Sequence, residues 1–70
     1  MRFDVFGRFV LLVERDGEGW RVLELGEDGK RRIFEDVVIP PHLREDEIGT
    51  LFADLLHELA RPGTSVRRLQ

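Results

Sequence analysis

Cysteine and tyrosine are absent from this 70-residue chain, and lysine occurs once. Without cysteine there can be no disulfide and no thiolate metal site. The two histidines, His42 and His57, are too few to build a structural zinc site, so neither a metal nor a cofactor is expected. Long apolar runs are missing as well. The longest, Phe9 to Val13, is far short of the roughly 20 residues that span a bilayer, so no membrane role is expected. The opening Met1-Arg2-Phe3-Asp4-Val5-Phe6 carries an acid at position 4 and lacks the apolar core of a secretory leader. Together these absences predict a reducing, cytoplasmic setting.

The glycines do not make a phosphate loop. Gly17, Gly19, Gly26 and Gly29 fall in two Asp-Gly turns, and no Gly-x-x-x-x-Gly-Lys-Ser/Thr spacing occurs. A net charge of −3, with 36% charged residues, favours solubility and argues against indiscriminate binding to nucleic acid.

The apolar residues that are present have clear periods. Between positions 2 and 15, Phe3, Val5, Phe9, Leu11 and Val13 recur with period 2, which predicts one long strand. Gly7 interrupts it and marks a bulge or a bend; a bulge would shift the inside and outside phase by one residue. Asp16-Gly17-Glu18-Gly19 leads by a hairpin into a second strand, Trp20 to Leu25. Gly26-Glu27-Asp28-Gly29 turns into a third, from Lys30 to about Phe34. Val37-Val38-Ile39 reads either as its continuation or as a short separate strand, ended by Pro40-Pro41.

The helix signal is the clearest. Ile48, Leu51, Phe52, Leu55, Leu56 and Leu59 fall on one stripe of a helical wheel. Glu45, Asp46 and Glu47 suit the positive end of the helix dipole, and Pro62-Gly63 ends the helix. Residues 64–70 are either a short edge strand anchored by Val66 and Leu69 or a frayed tail. The sum is a single α+β domain over residues 1–70. An antiparallel three- or four-stranded meander is followed by one amphipathic C-terminal helix packed on one sheet face. The expected core is Phe3, Val5, Phe9, Leu11, Leu23, Leu25, Ile48, Leu51, Phe52, Leu55 and Leu59.

No constellation supports catalysis. His57-Glu58 begins the metalloprotease motif His-Glu-x-x-His, but its fifth position is Arg61. Asp54, His57 and Ser65 supply the residue types of a nucleophilic triad, yet nothing places Ser65 against His57 and no oxyanion loop accompanies them. The chain is therefore expected not to be an enzyme.

Two surfaces are candidates for binding. The strands carry more apolar side chains than one helix can cover. Phe6, Val10, Leu12, Trp20 and Val22 would form a second apolar face, suited to a second copy of the chain or to another protein, unless a phase switch at Gly7 folds some of them inward. Lys30-Arg31-Arg32 and Arg67-Arg68 are basic clusters that would merge into a phosphate-binding patch if the tail paired beside the third strand. Charges guarding a strand edge explain the first cluster equally well.

Four segments carry a resemblance: Arg2-Phe3-Asp4-Val5-Phe6-Gly7, Gly29-Lys30-Arg31-Arg32, Val37-Val38-Ile39-Pro40, and Leu51-Phe52-Ala53-Asp54-Leu55-Leu56-His57-Glu58-Leu59-Ala60-Arg61-Pro62. In these the chain resembles a family of uncharacterised bacterial proteins of about this length. The resemblance implies a bacterial source and a stand-alone domain, and transfers no activity. In element order alone the chain is also similar to antitoxins of the HicB type, which implies a small nucleic-acid-binding regulator as the alternative to a protein-interaction module.

Overall fold

The computed structural model describes residues 1–70. Five strands form one antiparallel sheet: β1 (Arg2–Val5), β2 (Phe9–Asp16), β3 (Gly19–Leu25), β4 (Arg31–Ile33) and β5 (Val66–Arg68). Their spatial order is β4-β3-β2-β1-β5, so four strands make a meander and the tail returns to pair with β1. One helix, α1 (Ile48–Leu55), lies between β4 and β5 in sequence, flanked by 3-10 turns at Glu45–Glu47 and His57–Leu59. The α+β class and the start of the helix match the sequence expectation, but α1 stops at Leu55 and a separate 3-10 turn at His57–Leu59, not continued helix, leads to Pro62-Gly63. The count of five strands exceeds the three or four expected, for two reasons.

The first is Gly7. Residues 2–15 are not one strand but a hairpin. The chain reverses at Phe6 and Gly7, whose φ values of 54° and 68° are both positive, and Arg8 N–H donates to the Val5 carbonyl at 3.0 Å. Positive φ at two successive positions suits the right-handed twist of a hairpin. Gly7 adopts it freely, whereas Phe6 does so against the steric preference of a bulky side chain. What holds Phe6 there is burial, since its ring is only 5% exposed and belongs to the core.

The second is the tail. Val5 pairs with Val66, Asp4 with Arg67 and Phe3 with Arg68, and Leu69 N–H donates to the Arg2 carbonyl at 2.7 Å. This settles the choice for residues 64–70 in favour of an edge strand. It also departs from a β-β-β-α element order.

Register decides which side chains share a face, because residues directly opposite in a ladder point the same way. Phe3 pairs with Leu11 and Val5 with Phe9, while Val13 pairs with Val22 and Arg15 with Trp20. The face under α1 therefore carries odd positions of β1 and β2 but even positions of β3. Its buried cluster contains Phe3, Val5, Leu11, Val13 and Val22 from the sheet and Ile48, Phe52 and Leu56 from the helical segment. Phe3 and Phe52 meet edge to face at 5.3 Å, a favoured aromatic geometry. Val37 and Ile39 join the cluster while Val38 points out at 81% exposure, so Val37-Val38-Ile39 alternates like a strand without pairing into the sheet.

Three members of the expected core move. Leu23 and Leu25 pair with Leu12 and Val10 on the opposite face. Leu55 is 53% exposed, because α1 packs along Ile48, Phe52 and Leu56, spaced by four, and leaves the Leu55 flank outside.

Candidate functional site: the sheet face opposite the helix

Cross-strand rows define the face that α1 does not cover. One row runs Arg31, Leu25, Val10, Asp4, Arg67 across all five strands. The next runs Ile33, Leu23, Leu12, Arg2. A third begins with Arg21 opposite Glu14. An apolar stripe of Val10, Leu12, Leu23, Leu25 and Ile33 is thus framed by arginines and three carboxylates, Asp4, Glu14 and, opposite Gly19 in the row beyond, Asp16.

The frame is ordered by ion pairs. Glu14 accepts from Arg21 at 3.0 Å and lies 3.7 Å from Arg31, while Asp4 lies 3.7 Å from Arg67. Arg31 and Glu14 sit two rows apart, so their arms reach diagonally over the stripe between them. Such arms shield apolar surface with their methylene stems. Leu12, at the centre, is 6% exposed, and Val10, Leu23 and Leu25 are half-buried; Ile33 on the edge strand is 68% exposed. Ile33 also borders a groove of about 350 Å³, where Trp20, Phe34 and the exposed Val38 lie. Arg2 ends the leucine row differently. It has no carboxylate partner, and its Nε is buried without a hydrogen-bond partner.

The five residues expected to share a face are divided by this geometry. Val10 and Leu12 are on the open face. Phe6 is folded inward at the β1–β2 turn, and Val22 is 5% exposed within the core. Trp20 lies on the helix side, where its indole N–H donates to the Leu43 carbonyl at 3.3 Å and Arg15 stacks on its ring at 3.8 Å. For Phe6 the cause is the chain reversal at Phe6 and Gly7. For Trp20 and Val22 it is the length of the next turn. The Gly17-Glu18 loop between Asp16 and Gly19 has two residues, so paired positions of β2 and β3 always sum to an odd number. Leu23 and Leu25 take the places on the open face that had been expected of Val22 and Trp20.

The basic clusters do not merge. The tail pairs with β1, not beside β4, so Arg31 and Arg32 lie at one edge of the sheet and Arg67 and Arg68 at the other. Arg32 meets Asp28 at 3.1 Å and Arg68 is bound to Glu45 at 2.5 Å. Lys30 closes the β3–β4 turn, its backbone N–H donating to the Asp28 carboxylate at 3.0 Å. That bond, and then the Arg32 side chain, hold the Asp28 carboxyl below its usual value of 3.8.

The residues weighed for catalysis are not assembled either. His57 Nδ1 lies 2.8 Å from the backbone carbonyl of Asp54, not from its carboxylate. Ser65 borders a cleft of about 500 Å³ between α1 and β5, with Thr50 and Thr64, and His57 is not in its wall. No group of three or more His, Cys, Asp or Glu side chains converges to hold a metal ion. No helix is long and apolar enough to cross a membrane.

Fold and site together define a small α+β domain with one sheet face under a helix and one face open. The family follows from the whole chain: residues 1–70 match the model of a domain of unknown function (DUF7661), and the protein belongs to that family. Neither the curated proteins nor the solved structures contain a match to it.

Proposed function

We propose that this chain is a non-catalytic protein-interaction or regulatory module that binds through the sheet face opposite α1. One observation carries the reading. A single short helix covers one side of a five-stranded sheet, and the other side presents an apolar stripe ending in the exposed Ile33. Apolar surface gathered on one face and rimmed by polar groups is the usual character of a partner surface. The occupant is a second copy of the chain or another protein. Lack of cysteine and mild acidity suit a cytoplasmic setting.

Nucleic-acid binding is the reading with less support, since the clusters that would carry it lie on opposite sheet edges, their arginines facing carboxylates. The test is capture from the native host by the tagged chain and by Leu23→Glu, with and without nuclease, alongside sedimentation of both. Loss of a nuclease-resistant partner, or of self-association, in Leu23→Glu supports the module. Capture unchanged by Leu23→Glu, or lost only to nuclease, overturns it.

A further inference from the structure

β5 is the outer strand of the sheet, and only one of its edges is used. Phe6 N–H donates to the Ser65 carbonyl at 3.1 Å and Leu69 N–H to the Arg2 carbonyl at 2.7 Å, so the odd positions of the tail bond to β1. Hydrogen-bonded and non-bonded pairs alternate along an antiparallel ladder. Val66 and Arg68 therefore turn their N–H and carbonyl groups away from β1, with no partner in the fold. Their side chains stand opposite Val5 and Phe3, on the helix side. There α1 packs over β1 and β5, and a cleft of about 500 Å³ opens between it and β5. Phe3 and Phe6 floor the cleft, and one flank of α1 walls it, where Gly49 and Ala53 leave the space unfilled.

We propose that this edge takes an extended segment of another protein as a sixth strand, with an apolar side chain of that segment in the cleft. The site is separate from the open face and does not depend on it. A strand added beside β5 lies about 4.8 Å farther out, and its side chains alternate between the two sides of the sheet. Those on the helix side enter the cleft. Its main chain meets Val66 and Arg68, each of which offers one N–H and one carbonyl. In this mode of recognition main-chain bonds supply affinity, and the pocket for alternate side chains supplies selectivity. The Phe3 and Phe6 floor selects an aliphatic or aromatic side chain.

Charge and register select against a second copy at this edge. Full antiparallel overlap of two β5 strands sets Arg67 against Arg67, and like charges directly opposite are destabilising. A shift one way sets Arg68 against Arg68. A shift the other way sets Arg68 against Thr64, whose N–H is already donated to the Arg61 carbonyl at 3.0 Å. β4 of a second copy fares no better, because full antiparallel overlap sets Arg31 against Arg68 and Arg32 against Arg67. Charges on a short edge strand are a device against self-pairing. They leave a foreign segment free to enter.

The experiment is selection of a random-sequence peptide library on the immobilised full chain. Synthetic copies of the enriched peptides are then titrated against wild type, Arg68→Pro, Arg68→Ala and Leu23→Glu. Proline is tolerated where an edge N–H faces solvent, so Arg68→Pro removes the outward N–H and spares the bonds to β1. Arg68→Ala removes the same side chain, with its link to Glu45, and keeps the N–H. Far-UV circular dichroism establishes that each variant folds. If Arg68→Pro does not, N-methylation of alternate peptide residues replaces it, since only one alternate set points its N–H at β5. The expected result is enrichment of peptides with apolar residues at alternate positions. Binding should weaken about tenfold or more in Arg68→Pro, or on N-methylation of one alternate set, and stay within about threefold of wild type in Arg68→Ala and Leu23→Glu. Bound peptide should also protect the Val66 and Arg68 amides from hydrogen exchange, with little change at Arg67, which already faces β1. No enrichment, or binding indifferent to both Arg68→Pro and N-methylation, overturns the inference. Binding lost in Leu23→Glu and kept in Arg68→Pro overturns it in favour of the open face. A dimer in solution dissolved by Arg68→Pro overturns it in favour of a second copy.

Discussion

Leu23 stands directly opposite Leu12 across the β2–β3 ladder, whereas its chain neighbour Val22 stands opposite Val13 on the other side of the sheet. Adjacent residues therefore answer to different constraints. Val22 is 5% exposed and Leu23 is half-buried. A charge at Val22 enters the core without a partner, so Val22→Asp is expected to cost about 3 kcal/mol or more. Leu23→Glu is expected to cost about 1 kcal/mol, the part of the leucine burial that the long glutamate stem does not replace. Urea unfolding of the two variants checks the contrast. Equal losses would mean that the register is wrong.

The Phe6 turn allows a test in which the usual order of two residues reverses. Alanine normally stabilises a chain relative to glycine, by restricting the unfolded state. At Phe6, with φ at 54°, alanine keeps the steric conflict and glycine relieves it. Both lose the buried ring, at about 3–5 kcal/mol. Phe6→Gly is thus expected to be more stable than Phe6→Ala by about 1 kcal/mol. Thermal melting of the pair reads this directly, and an Ala variant at or above the Gly variant refutes the strained turn.

On the helical segment, Leu55 and Leu56 are neighbours with opposite exposures of 53% and 8%. Leu56→Ala should cost about 2–4 kcal/mol and Leu55→Ala under about 1. Similar losses in equilibrium unfolding would show that the helix is rotated relative to this description.

Asp28 sets the acid side of the β3–β4 turn. Its folded-state pKa lies below the unfolded value of 3.8, so its contribution is complete above that value and is lost as pH falls through the folded one. Asp28→Asn is expected to flatten the stability–pH curve below about pH 4 and to leave its shape near neutrality unchanged. Superimposable acid limbs for wild type and variant would rule the contribution out.

Much of this fold could be read from pattern alone. The period-2 runs of β1 and β2 and the Ile48, Phe52 flank of α1 come from side-chain geometry that is local, and they appear where the sequence places them, whereas Leu55 falls outside the packed flank and Leu59 lies beyond the α-helix. The phase of β3 was missed although its signal was present. Asp16-Gly17-Glu18-Gly19 holds a two-residue loop, which forces Val13 opposite Val22 and turns Leu23 and Leu25 away from the helix. The β1–β2 hairpin was hidden for a different reason. Phe6 is a poor turn residue by local preference, and only its burial in the finished core makes the position tenable. Pairing of β5 with β1 was not legible at all, since nothing near Val66 names its partner. The membership of the open face follows from the β2–β3 loop and the Phe6 turn, neither of which local alternation within a strand reveals.

That return of β5 to β1 sets an order in time. Hairpins β1–β2 and β2–β3 close over short stretches, but Phe3 meets Arg68 across almost the whole chain. Loop closure grows costlier with the length enclosed, and strands that wait for distant partners form late. The last edge of the sheet is therefore laid down after the hairpins and the helix exist to receive it. In the native state it should be the first to reopen, so that the amides of the terminal strand exchange with solvent before those at the centre of β2.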